Sequence, residues 1–370
     1  MENNKKLITI VLGTRPEAIK LAPVIKSFKK CKKFKTRVIV TGQHKEMVHE
    51  ALKIFDIEPQ KDLNIMRHKQ SLAQITCLIL KGLEEDFKLT RPSLVIVQGD
   101  TSTAFAAALG AFYAQIPVGH VEAGLRTNEL NDPFPEEGNR RLISQIGSLH
   151  FAPTDQSKVN LINSGVNGII EVTGNTVIDS LFTISKKNIF PKISGIDWKK
   201  KVIFVSVHRR ENWGLRLKDI IKGLKMILRD YKDIILLLPL HPNPIVREPF
   251  LDAFKNKKEV ILIKPLNYLE LVGTIKNCYA LLTDSGGLQE EAPSLGKPVL
   301  VLRKTTERPE AIAAGTAKLI GTDPKSILSE IGNILTDNNA YQKMSKAINP
   351  FGDGKASERI LKICIEFLNI

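Results

Sequence analysis

The residues best suited to chemistry come directly after short apolar runs. The first run is followed by GTRPEAIK, with Gly13, Arg15, Glu17 and Lys20. Later come TGQHKE, QGDTST with Asp100, GHVEAGLRT with His120 and Glu122, and PFPEEGNRR with Glu136, Glu137 and Arg140. The second half of the chain adds VHRREN with His208 and Arg209, LHPNP with His241, TDSGGLQEE, and RKTTERPEA with Glu307 and Arg308. The two halves differ in character. Asp100, Glu122 and Glu136 in the first are candidate acids and bases for moving protons. His208, Arg209, the Ser285-Gly286-Gly287 turn and Arg308 in the second suit an anion, because backbone N–H groups at a glycine-rich helix start bind phosphate well.

Each group also has a plainer reading. Pro16 fits the first position of a helix. Asp100 with Thr101-Ser102-Thr103 fits a helix cap. Glu136 and Glu137 fit acids in a helix first turn, and His208 fits a core histidine. Glu122 is hardest to explain by packing, since burying an isolated charge is costly. What favours function is position: all these groups fall at one end of the apolar runs.

Those runs must be strands. Residues 7–12, 37–40, 93–98, 118–121, 150–152 and 169–172 are rich in Val and Ile and barely alternate, as in parallel strands buried on both faces. Helical patterns lie between them near 16–30, 45–54, 70–88, 102–113, 137–147 and 155–163. After a helix-like stretch at 176–188 and an irregular FPKISGIDWKK, the alternation recurs. Strands are predicted at 202–207, 234–238, 260–263, 280–282 and 299–302. Helices are predicted near 216–230, 244–255, 268–277 and 287–294, with more after about 325. The pattern predicts an α/β chain of two doubly wound, Rossmann-like parallel-sheet domains, residues 1–176 and 177–355. Ligands of such sheets sit beyond the carboxyl ends of the strands, which places the expected site in a cleft between the domains.

Composition narrows the function classes. The 370 residues are 43% hydrophobic and 25% charged, so a large core needs no disulfide or metal staple. The formal charge is +15, part of it in KSFKKCKKFKTR, which reads as a solvated helix face. No nucleic-acid motif accompanies it, and an anionic small substrate is a further reason for positive charge. The four cysteines lack zinc spacing and read as reduced thiols of a cytoplasmic protein. No apolar run reaches the ~18 residues of a membrane span. Neither a membrane nor a nucleic-acid partner is expected. G-x-G-x-x-G is absent after the first strand, and the Walker pattern is absent too. These absences speak against hydride transfer by bound NAD and against ATP chemistry of that type.

Taken in order, GTRPEAIKLAPVI, TGQH, QGDTSTAFAAALGAF, GHVEAGLRT, PFPEEGNRR, VTGNTVID, VHRREN, TDSGGLQEEAPSLGKPVLVLR and TTERPEA resemble the non-hydrolysing UDP-N-acetylglucosamine 2-epimerases of bacteria and archaea. The likeness runs from residue 8 to about residue 321. It implies the GT-B fold, with a C-terminal helix at about 356–370 packing back on the first domain. It also implies a homodimer, interconversion of UDP-GlcNAc and UDP-ManNAc for surface polysaccharide, and neither cofactor nor metal.

The resemblance places Asp100, Glu122 and Glu136 in the proton chemistry, without assigning a face of the sugar to any of them. It puts Arg15 and Lys20 near the diphosphate or sugar, with Lys20 alternatively holding a catalytic carboxylate, and His208 beside the diphosphate. Ser285, Gly286 and Gly287 match phosphate contacts, Glu291 the acceptor of the ribose hydroxyls, and Arg308 a cation near the uridine or phosphates. Leu271 stands where relatives often carry Phe beside the uracil. Gln43, His44, Lys69, Arg209 and His241 fall at or near the positions where some bacterial relatives bind a second, activating UDP-GlcNAc. Lys69 stands where an activated relative has Arg and lacks its bidentate fork, and Glu46 stands where it has Gln and would repel a diphosphate.

The chemistry agrees with the family. The C2 proton of a pyranose is not next to a carbonyl and is very weakly acidic. An oxidative route needs a nicotinamide site. The remaining route eliminates UDP across C1–C2 to a 2-acetamidoglucal, then returns a proton to the opposite face and UDP to C1. That route needs carboxylates at the sugar and positive charge at the leaving diphosphate. Competing readings are a hydrolysing relative that releases free N-acetylmannosamine, a retaining glycosyltransferase of the same fold, and a non-catalytic sugar-nucleotide sensor.

Overall fold

The computed structural model describes residues 5–43, 45–67, 69–127, 129–187 and 189–370. The chain forms two compact units. Unit 1 runs up to Ser180 and takes in Phe351–Ile370; unit 2 is Leu181–Pro350.

Unit 1 alternates strand and helix: β1 (Lys6–Leu12), α1 (Arg15–Lys30), β2 (Phe34–Val40), α2 (Lys45–Ile54), β3 (Lys61–Asp62), α3 (Leu72–Thr90), β4 (Leu94–Gln98), α4 (Ser102–Tyr113), β5 (Val118–Val121), α5 (Glu136–Ile146), β6 (Leu149–Ala152), α6 (Asp155–Asn163) and β7 (Ile169–Val172). These strands make a seven-stranded sheet in the order β3-β2-β1-β4-β5-β6-β7, with every pairing parallel. Helix α7 (Thr176–Ser185) runs across the boundary of the units.

Unit 2 repeats the plan with β8 (Lys201–Ser206), a 3-10 turn at Arg210–Asn212, α8 (Leu215–Asp230), β9 (Ile234–Pro239), α9 (Pro244–Phe254), β10 (Val260–Ile263), α10 (Tyr268–Asn277), β11 (Ala280–Thr283), α11 (Gly286–Ser294), β12 (Val299–Val301), α12 (Pro309–Ala313), β13 (Ala317–Leu319), α13 (Pro324–Thr336) and α14 (Asn338–Ser345). Its six strands run β10-β9-β8-β11-β12-β13, again all parallel. Helix α15 (Ala356–Phe367) belongs to unit 1 and packs on α1. The Asp179 carboxylate fixes its start by accepting from Ala356 N at 3.2 Å, and from Ser357 N at 2.8 Å and Oγ at 2.7 Å.

The expected α/β class with two parallel sheets is therefore what the chain forms. In each sheet the strand order reverses once, between β1 and β4 in unit 1 and between β8 and β11 in unit 2. These reversals are topological switch points, where neighbouring loops diverge and leave a crevice. The strands flanking them form the middle of each sheet. β4 and β11 are buried throughout, because helices cover both faces of the sheet. Helix α4 packs closely through Ala104, Ala106, Ala107, Ala108 and Ala111, all fully buried, against α3 and α5. Among the described residues, no helix is long and apolar enough to cross a membrane.

The sheet edges depart from the sequence reading. β3 and β13 were not expected: β3 carries no apolar residue, and β13 is only three residues long. β7 was expected from its apolar letters to be buried. It is an edge strand whose residues are exposed or half-buried, paired along one side with β6.

Candidate active site

In unit 1 the loops after β1, β4 and β5 carry the predicted groups. Thr14 caps α1 in a capping box with Glu17, and this sets Arg15 and Lys20 on the first turns of that helix. Lys20 Nζ reaches the carboxylate of Glu122, at 2.7 Å from Oε1 and 2.5 Å from Oε2. Glu122 follows β5 with φ 62°, a left-handed conformation that costs a non-glycine residue about 1–2 kcal/mol. Its side chain is buried, and Gln98, the last residue of β4, donates to it through Nε2. Lysine and amide together satisfy the carboxylate and offset the strain.

Asp100 lies just past β4, after Gly99, whose φ of 70° suits glycine. The buried His120 fixes that turn: its Nε2 lies 2.7 Å from the Gly99 carbonyl. A carbonyl only accepts, so Nε2 carries the hydrogen. Burial, outweighing the Gly99 bond, pushes the His120 pKa down to about 3, so this ring stays neutral. Arg140 of α5 pairs with Asp100 through Nε at 3.0 Å and through Nη2. Asn139 Nδ2 donates to the Asp100 carbonyl at 2.8 Å.

The two acids that open α5 differ in environment. Glu137 is fully buried and accepts from Arg140 Nη1 at 3.1 Å, Arg141 Nε at 2.6 Å and Thr127 N at 3.1 Å. Glu136 is half-buried at the first position of the helix. No hydrogen bond joins Glu136 to Asp100 or Glu122 among the described residues. Gln43 accepts from Thr103 Oγ1 at 2.8 Å, and Thr103 in turn lies 2.9 Å from Thr41 Oγ1. Lys69 is exposed, with φ 59°. His44 lies outside the described residues.

In unit 2 the loops after β8 and β11 meet at the switch point. The buried Asp284 joins them. Its carboxylate accepts from the backbone N of His208 at 3.0 Å, from Arg209 N at 2.9 Å and from Asn212 Nδ2 at 3.0 Å. His208 Nε2 lies 3.7 Å from it, and the His208 and His241 rings stack with centroids 6.3 Å apart. Burial lowers the His208 pKa; Asp284 opposes the shift, and Arg209, His241 and Arg303 add to it.

Ser285 is the N-cap residue of α11, yet its side chain makes no capping bond. Gly286 opens the helix. A Cβ there would lie 3.5 Å from Arg209 Nη2 and 3.6 Å from Arg308 Cζ, so two guanidinium groups flank a helix N-terminus. Gly287 is exposed with open space beside it. Arg209 pairs with Glu307 at 3.0 Å and Arg308 with Glu290 at 2.6 Å. Glu291 is buried and accepts from Tyr268 Oη at 3.0 Å. Leu271 is half-buried one turn further along α10. An open cavity of about 960 Å³ bordered by α3 and α4 contains none of these groups.

Sequence reasoning passed over Gln98, Asp284 and Tyr268 as site residues. Asp284 carried the same signal as Asp100, a carboxylate directly behind a buried strand. Gln98 and Tyr268 had no such signal, because their partners are set by the fold.

These features define the class of protein: two Rossmann-like sheets, each with polar side chains gathered at its switch point, one set rich in carboxylates and the other able to bind an anion. Known proteins place the chain more narrowly. The family model described as UDP-N-acetylglucosamine 2-epimerase matches residues 26–365. The UDP-N-acetylglucosamine 2-epimerase of Escherichia coli K12 is 48% identical over 367 residues, covering 96% of this chain and 97% of that protein. The crystal structure of the Neisseria meningitidis UDP-GlcNAc 2-epimerase bound to UDP-GlcNAc matches with a TM-score of 0.89 and 44% identity, covering 98% of this chain and 100% of that one. The Methanocaldococcus jannaschii enzyme in complex with UDP-GlcNAc and UDP matches with a TM-score of 0.80 and 34% identity, covering 97% and 99%. The chain belongs to the UDP-N-acetylglucosamine 2-epimerase family, as its motifs suggested.

Proposed function

We propose that the protein interconverts UDP-N-acetylglucosamine and UDP-N-acetylmannosamine without releasing free sugar, by eliminating UDP and adding it back. The observation that carries the reading is the pair of cation-held carboxylates at neighbouring strand ends, Glu122 with Lys20 and Asp100 with Arg140. It is joined by identity of nearly half the residues with the named E. coli epimerase.

Unit 2 takes the nucleoside diphosphate. The N-terminus of α11, Ser285, Arg209 and Arg308 hold the phosphates, Glu291 the ribose, and Leu271 gives the uracil an apolar contact. As the C1–O bond breaks, charge grows on the diphosphate, where these groups and His208 stabilise it. Unit 1 moves the protons. One carboxylate of Asp100, Glu122 and Glu136 removes the C2 proton as UDP leaves. Another returns a proton to the opposite face of the 2-acetamidoglucal before UDP re-adds at C1. Lys20 keeps the Glu122 carboxylate in place, and Arg15 contacts the diphosphate or sugar. The product serves as a source of N-acetylmannosamine units for polysaccharide, and the assembly is a homodimer.

The test is turnover of UDP-GlcNAc in deuterated water, followed by NMR. Deuterium at C2 of UDP-ManNAc is expected, and retention of the original proton would sink the elimination route. Free N-acetylmannosamine as the dominant early product would indicate a hydrolase. Turnover unchanged in Asp100→Asn and Glu122→Gln would remove both carboxylates from the chemistry.

A further inference from the structure

Glu17 has no part in the reaction described above, yet it is a buried, hydrogen-bonded carboxylate close to it. It is 1% exposed. Its carboxylate accepts from Gly13 N at 3.0 Å and Thr14 N at 2.7 Å on Oε2, from Thr101 Oγ1 at 2.7 Å on Oε1, and from the Thr14 hydroxyl. A capping box explains the Thr14 contact alone. It explains neither the bond to Gly13 nor the bond to Thr101, which lies 84 residues further along the chain. Nor does it explain the burial, which is costly for a carboxylate and raises the Glu17 pKa against the pull of Thr101, Thr14 and Gly13.

The two ends of this contact lie at the switch point of unit 1. Gly13 and Thr14 immediately precede Arg15. Thr101 immediately follows Asp100, and its Oγ1 also caps α4 by accepting from Ala104 N at 3.0 Å. The loops are pressed together as well: a Cβ at Gly13 would overlap the hydroxyls of Thr41 and Thr103. We propose that Glu17 is a positioning residue, a buried bracket that ties the Gly13–Arg15 turn to the Asp100–Thr101 turn and so fixes where Arg15 and Asp100 stand relative to each other. The proposal rests on the reading that Arg15 and Asp100 serve the sugar nucleotide.

A glutamine can reproduce most of the bracket. Its carbonyl oxygen would take the two N–H groups and one amide hydrogen would go to Thr101 Oγ1, at the cost of the acceptor for the threonine proton and of a second, buried amide hydrogen. The experiment compares Glu17→Gln, Glu17→Ala, Thr101→Ser and Thr101→Val with the wild type. It reads kcat and KM for UDP-GlcNAc, thermal unfolding, and hydrogen exchange over residues 8–20. Misplacing a reacting group by about 1 Å costs on the order of 10²-fold. Glu17→Ala and Thr101→Val are therefore expected to lose about that much in kcat with KM nearly unchanged, and their double variant to lose no more. Glu17→Gln and Thr101→Ser should stay within about tenfold of the wild type on the same scale. Thr101→Val should speed exchange at Gly13 and Thr14, a segment in which it changes no residue.

Wild-type kcat in Thr101→Val, or a loss in Glu17→Gln equal to that in Glu17→Ala, overturns the bracket. Should Glu17→Ala not fold, Thr101→Val and Glu17→Gln decide alone. A wild type that does not epimerise UDP-GlcNAc refutes the proposed function instead. The exchange rates then decide the bracket: unchanged exchange at Gly13 and Thr14 in Thr101→Val refutes it.

Discussion

Lys20 and Glu122 form a two-pronged contact, the lysine ammonium lying 2.7 and 2.5 Å from the two carboxylate oxygens. They come from the helix after β1 and the end of β5, so the pair spans the switch point of unit 1. The lysine side chain is 17% exposed and that of the glutamate 5%. Removing one partner from such a pair leaves a buried charge without compensation. Lys20→Met should therefore lower kcat by about 10²-fold or more, through a displaced Glu122. Lys20→Arg keeps the charge and should recover part of the loss. Steady-state kinetics on both variants checks this, and equal activity in Lys20→Met and wild type would remove the pair from the chemistry.

Asp284 is the corresponding joint in unit 2. Asp284→Ala would leave the N–H groups of His208 and Arg209 and the Asn212 amide without their shared acceptor. Loss of a buried, hydrogen-bonded carboxylate costs roughly 3 kcal/mol. Urea unfolding should show a loss of that order, and KM for UDP-GlcNAc should rise as the His208-Arg209 loop loosens. A stable variant with unchanged KM would show that the loop holds its shape without Asp284.

These two joints mark how far the sequence could be read. The doubly wound plan was visible because β4, β5, β8 and β11 are short Val-, Ile- and Leu-rich runs, and burial on both faces demands that composition. The polar residues behind those runs were visible for the same reason: a strand buried on both faces delivers its next residue to the crevice. Asp100, Glu122 and His208 were found that way. Partnership was visible only in part: the family likeness offered Lys20 as the holder of a catalytic carboxylate without saying which one. That Lys20 reaches Glu122, 102 residues away, or that Glu137 rather than Glu136 is the buried knot of α5, depends on helix phase and inter-strand spacing. Two edge strands were missed for a different reason. β3 and β13 are held by backbone hydrogen bonds to one neighbour, which Lys61 and Asp62 make as well as any apolar pair.

Glu307 supplies a pH dependence. Burial alone would raise its pKa. The fields of Arg209, Arg303 and Arg308, with a backbone hydrogen bond, reverse that and bring it from 4.5 to about 2. A carboxylate depressed on folding stabilises the protein above its unfolded pKa, and the stabilisation is lost as pH falls through the folded value. The window here is from about 4.5 down to about 2. The contribution at neutral pH is on the order of 3 kcal/mol. Urea unfolding of wild type and Glu307→Gln should differ most near pH 7 and converge as the pH is lowered through that window. A difference independent of pH would mean that the glutamate acts through packing.

Glu291 should act on binding alone. Its carboxylate is buried and held by Tyr268 Oη at 3.0 Å, so a ribose would meet an acceptor already in place. Ribose contacts do not change as C1 and C2 react, and removing them costs ground and transition states alike. Glu291→Ala should raise KM about tenfold or more with kcat nearly unchanged. Tyr268→Phe, which removes one hydrogen bond to the carboxylate and keeps the acid, should raise KM by less. A fall in kcat at constant KM would contradict the assignment.

His208 gives the last prediction, and its sign can be worked through. In the free protein, burial lowers its pKa below the ordinary 6.5, with Arg209, His241 and Arg303 adding to the shift and Asp284 opposing it. The ring is therefore neutral at pH 7. A bound diphosphate adds its negative charge to that of the Asp284 carboxylate, 3.7 Å from the ring, and this favours the protonated ring. Binding should then take up a proton, with affinity rising as pH falls from about 7 toward about 6. UDP-GlcNAc is the ligand to use, because its diphosphate is esterified at both ends and does not itself titrate there. Calorimetry in two buffers of different ionisation enthalpy reads the uptake directly. It should be a sizeable fraction of a proton near pH 6, should vanish near pH 8, and should be lost at both in His208→Gln. Uptake that persists in His208→Gln would assign the proton to another group.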